Sequence, residues 1–181
     1  MKHFRRLVVV ALLVLAASGC DTPNPAAALK KDPVAPVPVA VREASAGDLE
    51  AALQAHKGRV VLVDCWATWC PPCVRSFPHF VGEHKKYAEY GLVCVGVSLD
   101  KRTDKAAALA FLTKHDATFP NYLFAPADER DADWFTARLG YNGAIPFKAL
   151  FDKTGKRVWD SSGDDLSDRE LERLIATELA K

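Results

Sequence analysis

An excess of charge of either sign is missing from this sequence: across 181 residues, 24 Lys and Arg face 23 Asp and Glu, for a formal net charge of +1. With the two signs intermixed, there is no electrostatic basis for binding nucleic acid. Also missing is an apolar run long enough to cross a bilayer, which takes roughly 20 residues. The uninterrupted stretch from Leu7 to Ala17 is shorter than that. Cysteine is scarce, at five residues, and no second C-x-x-C accompanies Cys70 and Cys73. His79 and His84 follow too closely on one segment to complete a finger, which argues against half of a zinc site. No internal repeat is visible. What remains is one domain of ordinary size behind a targeting segment, with 49% hydrophobic residues to build its core.

The chain is organised around Val60 to Cys73. Val60 to Val63, apolar and largely β-branched, predicts a strand buried on both faces. The run breaks at Trp66-Ala-Thr-Trp69 and delivers Cys70 and Cys73, separated by Pro71 and Pro72. Phe77, Phe80, Val81, His84 and Ala88 then fall at helical spacing. A strand feeding a C-x-x-C in the first turn of a helix is the layout of a dithiol redox centre. Bridging residues so close removes little chain entropy, so such a bridge is chemical rather than structural. At a helix N-terminus the macrodipole and unpaired N–H groups favour a thiolate, which makes Cys70 the nucleophile. Pro71 and Pro72 are tolerated in the first turn and withdraw two donors from that thiolate. Cys73, one turn in, is the resolving thiol. Asp64 ends the apolar strand; burial there raises its pKa and suits it to accept the proton of Cys73, the alternative being an exposed strand-end carboxylate. Trp66 and Trp69 flank the site and would supply a flat apolar surface that docks a substrate polypeptide; of the two, Trp69, adjacent to Cys70, is the better placed.

The N-terminus predicts export. Lys2, Arg5 and Arg6 precede the apolar stretch, and Ala17-Ser-Gly-Cys20 resembles a bacterial lipoprotein cleavage box with Cys20 as the lipidated residue. An ordinary secretory signal is the alternative. Residues 1–20 are thus expected to be a signal peptide, 21–42 a Pro- and Ala-rich tether holding the domain off the membrane, and 43–181 the folded domain. Asp21 resembles an inner-membrane retention signal, which places the protein outside the cytoplasm, in the periplasm, on a lipid anchor.

Further elements follow in order. Ser45 and Asp48 cap a helix carrying Leu49, Ala52 and Leu53, which ends near Gly58. Leu92 to Leu99 is a second buried strand and completes a right-handed βαβ unit. Asp100 to His115 predicts a helix, and Asp131 a cap for a short one with Trp134, Phe135 and Leu139, closed by Gly140. Phe147 to Phe151, a turn at Asp152 to Gly155 and Lys156 to Trp159 predict a hairpin. Ser167 and Glu170 form a capping box that opens a last helix.

Trp69-Cys-Pro-Pro-Cys73, together with Asp64 and Pro146, resembles the thioredoxin-fold, membrane-tethered thiol–disulfide oxidoreductases of bacteria, the TlpA/ResA-like lipoproteins, a group that includes cytochrome c maturation proteins. The resemblance implies an α/β thioredoxin fold: a central mixed β-sheet flanked by helices, with a central insertion before Gly140. It implies a cis bond at Pro146 facing the dithiol, with Ile145 and Pro146 shaping the peptide-docking groove. It also implies reduction of disulfides in exported proteins, without cofactor or metal, and recharging by a membrane electron donor. A disulfide oxidant or isomerase, or a non-catalytic redox-responsive binding module, are the alternatives; a thiol peroxidase is disfavoured because Thr68 lies in a dithiol motif. Two departures stand out. Gly96 occupies the place of a lysine that thioredoxins set near the buried Asp, and Ser76 the place of a glutamate in many tethered relatives. Aligning Asp64 beside Gly96 puts Cys65 and Cys94 on opposite faces of the sheet, as two unpaired buried thiols.

Overall fold

Alternation and continuous apolar runs set the layers. In the computed structural model, which describes residues 25–124, 126, 128–163 and 166–181, the strands and helices follow in the order β1 (Arg42–Ala44), α1 (Ala46–Ala55), β2 (Val60–Trp66), α2 (Pro71–Tyr87), β3 (Leu92–Ser98), α3 (Lys105–Lys114), β4 (Asn121–Phe124), α4 (Glu129–Leu139), β5 (Phe147–Phe151), β6 (Arg157–Asp160) and α5 (Asp168–Ala180). The expected signal peptide, with Cys20 and Asp21, lies outside the described residues.

The sheet has six strands in the order β1-β4-β3-β2-β5-β6. The first four run parallel, whereas β5 is antiparallel to β2 and β6 to β5. Every residue of β2 and β3 is buried, because helices cover both faces. Leu62, Trp66 and Cys94 meet Phe77 of α2, Leu112 of α3 and Ile175 of α5. Val61, Val63 and Cys65 meet Leu49 of α1 and Phe135 of α4 on the other side. Each such side chain contributes about 1.5–3 kcal/mol on burial. The expected mixed sheet is therefore present, and the expected insertion between the second buried strand and Gly140 consists of α3, β4 and α4.

Three local expectations are corrected. The short helix is capped by Asp128, whose carboxylate accepts from the Asp131 N–H at 3.2 Å. Asp131 lies inside the first turn and accepts instead from the Ala46 N–H of α1 at 3.3 Å. The helix expected from Asp100 begins only at Lys105, because Asp100 is engaged elsewhere and 102–104 form a 3-10 turn.

The third correction concerns the tether. Where it is described, the Pro-rich segment does not stand off the domain but binds along it. The N–H groups of Asp32, Val34 and Val37 donate to Glu89, Ala88 and Thr118 carbonyls at 2.8–3.0 Å. Ala26 and Val41 are buried, and Leu29 and Val39 pack on the same core. Asp32 pairs with Arg59 at 2.6 Å. The prolines do exclude a long helix, but apolar residues set between them find apolar surface, and three of the amides find carbonyl partners on the domain.

Candidate active site

The α2 N-terminus is built by the motif itself. Cys70 is the N-cap residue in extended conformation, and Pro71 and Pro72 take the first two helical positions. With their donors absent, the Cys73 N–H is the backbone group that reaches the Cys70 sulfur, at 3.2 Å. Cys70 and Cys73 form a disulfide, with Cα atoms 5.3 Å apart. Cys70 is 4% exposed and Cys73 1%, so an attacking sulfur from outside meets Cys70 first. The Ile145–Pro146 bond is cis, and the Ile145 carbonyl oxygen lies 3.7 Å from Cys70 Sγ. Trp69, 61% exposed, stands beside this surface; the expectation that Trp66 also docks substrate is corrected, because Trp66 is buried in the core against Phe77 and Phe111.

The loop that carries Trp69 is anchored at Thr68 by Asp100, a residue that sequence reasoning missed. Asp100 is buried, and its carboxylate accepts from the Thr68 N–H at 3.1 Å, the Thr68 hydroxyl at 2.6 Å and the Ser98 hydroxyl at 2.7 Å. The end of β3 thereby fixes the loop that carries Trp69 into Cys70. An acidic residue two positions beyond a buried strand, level with the dithiol, was the available signal. Asp100→Ala leaves those donors unpaired and is expected to cost about 1.5–3 kcal/mol in urea unfolding. The freed loop should also raise KM for a protein disulfide more than it lowers kcat.

Asp64 lies under the dithiol end of β2. It is 1% exposed, and its Oδ1 has no hydrogen-bond partner among the described residues. Burial pushes its carboxyl up to about 6, against the pull of the Lys148 ammonium. The register explains where that ammonium comes from. Asp64 pairs with Gly96 on one side and with Lys148 on the other. A side chain at Gly96 would collide with the Asn121 amide oxygen, and the Asn121 amide is held in place by donating to the Ala117 and Phe119 carbonyls, so β3 has no room for a lysine. The cation arrives from β5 instead. Sequence reasoning missed Lys148, because only the β2–β5 register reveals it.

Cys65 and Cys94 are free, buried and on opposite faces of the sheet. Burial pushes both thiols well above their usual range, so they stay protonated and unreactive. Ser76 donates its hydroxyl to the Cys73 carbonyl at 3.2 Å within α2.

The Redoxin family model matches residues 32–175. A thiol-disulfide oxidoreductase ResA of Bacillus cereus is 29% identical over 115 residues, 62% of this chain and 60% of that one. The chain thus spans about three fifths of the length of this curated relative. Among solved structures, a thiol:disulfide interchange protein of the thioredoxin family from Chlorobium tepidum TLS gives a TM-score of 0.57 at 22% identity, covering 82% of this chain and 99% of that one. A second from Chlorobium tepidum, named as the thiol:disulfide interchange protein DsbE, is 34% identical, with a TM-score of 0.56 over 70% of this chain and 84% of that one. The fold is the thioredoxin fold. Because the matched span takes in all six strands and the disulfide, the chain belongs to the Redoxin family.

Proposed function

We propose that this protein is a thiol–disulfide oxidoreductase that reduces disulfides in exported proteins. The observation that carries the reading is the Cys70–Cys73 disulfide at the N-terminus of α2, with Cys70 the more exposed sulfur. In the reduced protein, the Cys70 thiolate attacks one sulfur of a substrate disulfide. That bond breaks, a mixed disulfide forms, and the other substrate sulfur leaves as a thiolate. Cys73 then gives its proton to Asp64 and attacks Cys70 Sγ, which releases the second substrate thiolate and leaves the disulfide seen here. Two electrons pass to the substrate in each turnover. Trp69 with the loop at Ile145 and Pro146 forms the groove that receives the substrate segment.

The N-terminal pattern supports a place outside the cytoplasm, with residues 1–20 as signal peptide, Cys20 as the lipid-bearing residue and the inner membrane as the anchoring surface. There a membrane dithiol donor recharges the Cys70–Cys73 pair, since cytoplasmic reductases are out of reach. Among the described residues, no helix is long and apolar enough to cross a membrane. The domain then runs from about residue 43 to 181, with residues 25–42 of the preceding segment lying along it.

The test is the reduction potential of the Cys70–Cys73 pair, set by equilibration against thiol buffers and read by the fluorescence of Trp66 and Trp69. A value near the about −270 mV of thioredoxin is expected. A value near about −120 mV would reverse the direction and make the protein a disulfide donor.

A further inference from the structure

Binding of the Pro-rich segment along the domain shortens the tether. Free over its whole length, that segment would let the domain stand up to about 80 Å from Cys20. With Ala26 already packed in the core, only five residues lead from Cys20 to Pro25, a reach of about 18 Å. A lipid on Cys20 therefore holds the domain against the bilayer rather than off it, and one face of the domain must meet the headgroups.

The face nearest the tether is basic. Lys30, Lys31 and Asp32 of the bound segment line a cleft of about 490 Å³ together with Arg59 and Lys153. Arg59 directly precedes β2, and Lys153 lies in the turn between β5 and β6. Because β5 is antiparallel to β2, both residues sit at the end of the sheet opposite Cys70, which follows the far end of β2. The seven residues of β2 set the two ends about 20 Å apart. Four cations thus line the cleft against one carboxylate. The carboxylates at this end are engaged, since Arg59 holds Asp32 at 2.6 Å and Lys31 holds Glu89 at 2.8 Å. Lys153 donates to the Leu179 carbonyl at 2.9 Å and so covers the negative end of α5. Lys30 is exposed and pairs with no carboxylate among the described residues. Such an open, cation-rich cleft suits the oxygens of a phosphate.

We propose that this cleft receives the phosphates of anionic phospholipids, so that the domain rests on the membrane by the end opposite the dithiol and holds Cys70 and Trp69 away from the bilayer. The inference rests on the placement of Cys20 as the lipid-bearing residue. The segment that carries the anchor also supplies Lys30 and Lys31, so anchoring brings the cleft to the headgroups at high effective concentration. Substrate proteins then reach the dithiol from the aqueous side without competing with the membrane. The donor that recharges the dithiol must present its own cysteines on a part that stands clear of the bilayer.

The test is lysine acetylation, mapped by mass spectrometry, on the full-length protein as processed in a bacterial host and placed in nanodiscs of phosphatidylcholine, with or without phosphatidylglycerol. Lys101, exposed beyond β3 at the dithiol end, is the internal reference. With phosphatidylglycerol present, Lys30 and Lys31 should react about fivefold more slowly, the increment of one basic residue at an anionic surface, and about 1 M salt should abolish the difference. Lys30→Glu breaks no ion pair among the described residues, and should return Lys31 to its rate in phosphatidylcholine alone with insulin reduction unchanged. Equal rates in the two kinds of disc overturn the docking, as does protection of Lys31 that survives Lys30→Glu. Equal protection of both lysines by inorganic phosphate without lipid would overturn it in favour of a soluble phosphate compound. The same digests give the mass of the Cys20 peptide, so an unlipidated Cys20 would overturn the anchored reading separately from the headgroup contact.

Discussion

A Cys70→Ser protein is expected to reduce insulin disulfides no faster than the buffer thiol alone. The reason lies in exposure and chemistry together. Cys70 is the sulfur nearer solvent, it caps α2, and its thiolate there is stabilised by the helix N-terminus and the Cys73 N–H. A serine hydroxyl at that position has neither the acidity nor the nucleophilicity to open a disulfide. Cys73→Ser should fail differently. Cys70 still attacks, but nothing resolves the product, so the variant should accumulate as a mixed disulfide with its substrate, visible as a shifted band on a non-reducing gel. Undiminished insulin reduction by Cys70→Ser would mean that the dithiol is not the reacting centre. Equal trapping by both single variants would mean that the two sulfurs are not ordered as proposed.

The second large effect is expected at Asp64, and it has opposite signs for stability and for rate. Folding raises this carboxyl from 3.8 to about 6, chiefly by burial. The folded state therefore holds the proton more tightly than the unfolded state. Below pH 3.8 the group is protonated in both and costs nothing; as pH climbs through about 6 the folded protein loses stability, by about 3 kcal/mol once the carboxylate is fully ionised. Asp64→Asn cannot ionise. Above pH 6 the variant should be more stable than wild type by about that amount in urea unfolding, and the gain should vanish toward pH 4. The same change removes the proton acceptor for Cys73, so resolution of the mixed disulfide should slow about 100-fold or more. A variant that is stabilised but resolves at the wild-type rate would leave Asp64 a buried cost without a catalytic return.

Much of this architecture can be read from neighbouring residues. The runs Val60 to Val63 and Leu92 to Val95 give buried strands wherever helices can cover both faces. Ser45 with Asp48, and Ser167 with Glu170, close their capping hydrogen bonds within a single turn, at 2.8 and 2.9 Å from the cap N–H groups. Gly140 ends α4 at a φ of +82°, where a side chain would also strike the Arg157 guanidinium. Cys70 and Cys73 are placed by the same local logic, since a strand, a break and a helix start leave no other position for them. β1 and β4 were not legible. With three and four residues each, they carry too little pattern of their own, and they are strands because they pair with each other and β4 pairs with β3.

The sequence by itself determined the dithiol, its seat at a helix N-terminus, the proline before β5 and the buried strand that carries Asp64, because each depends on residues within a few positions of one another. Tertiary structure decided the rest of the site. Lys148 meets Asp64 only through the antiparallel register of β2 and β5. Asp100 reaches back to Thr68 from the end of another strand. The Pro-rich segment binds only where the domain offers it apolar surface and free carbonyls. Each of these depends on which distant segments come into contact, so spacing along the chain carries no trace of it.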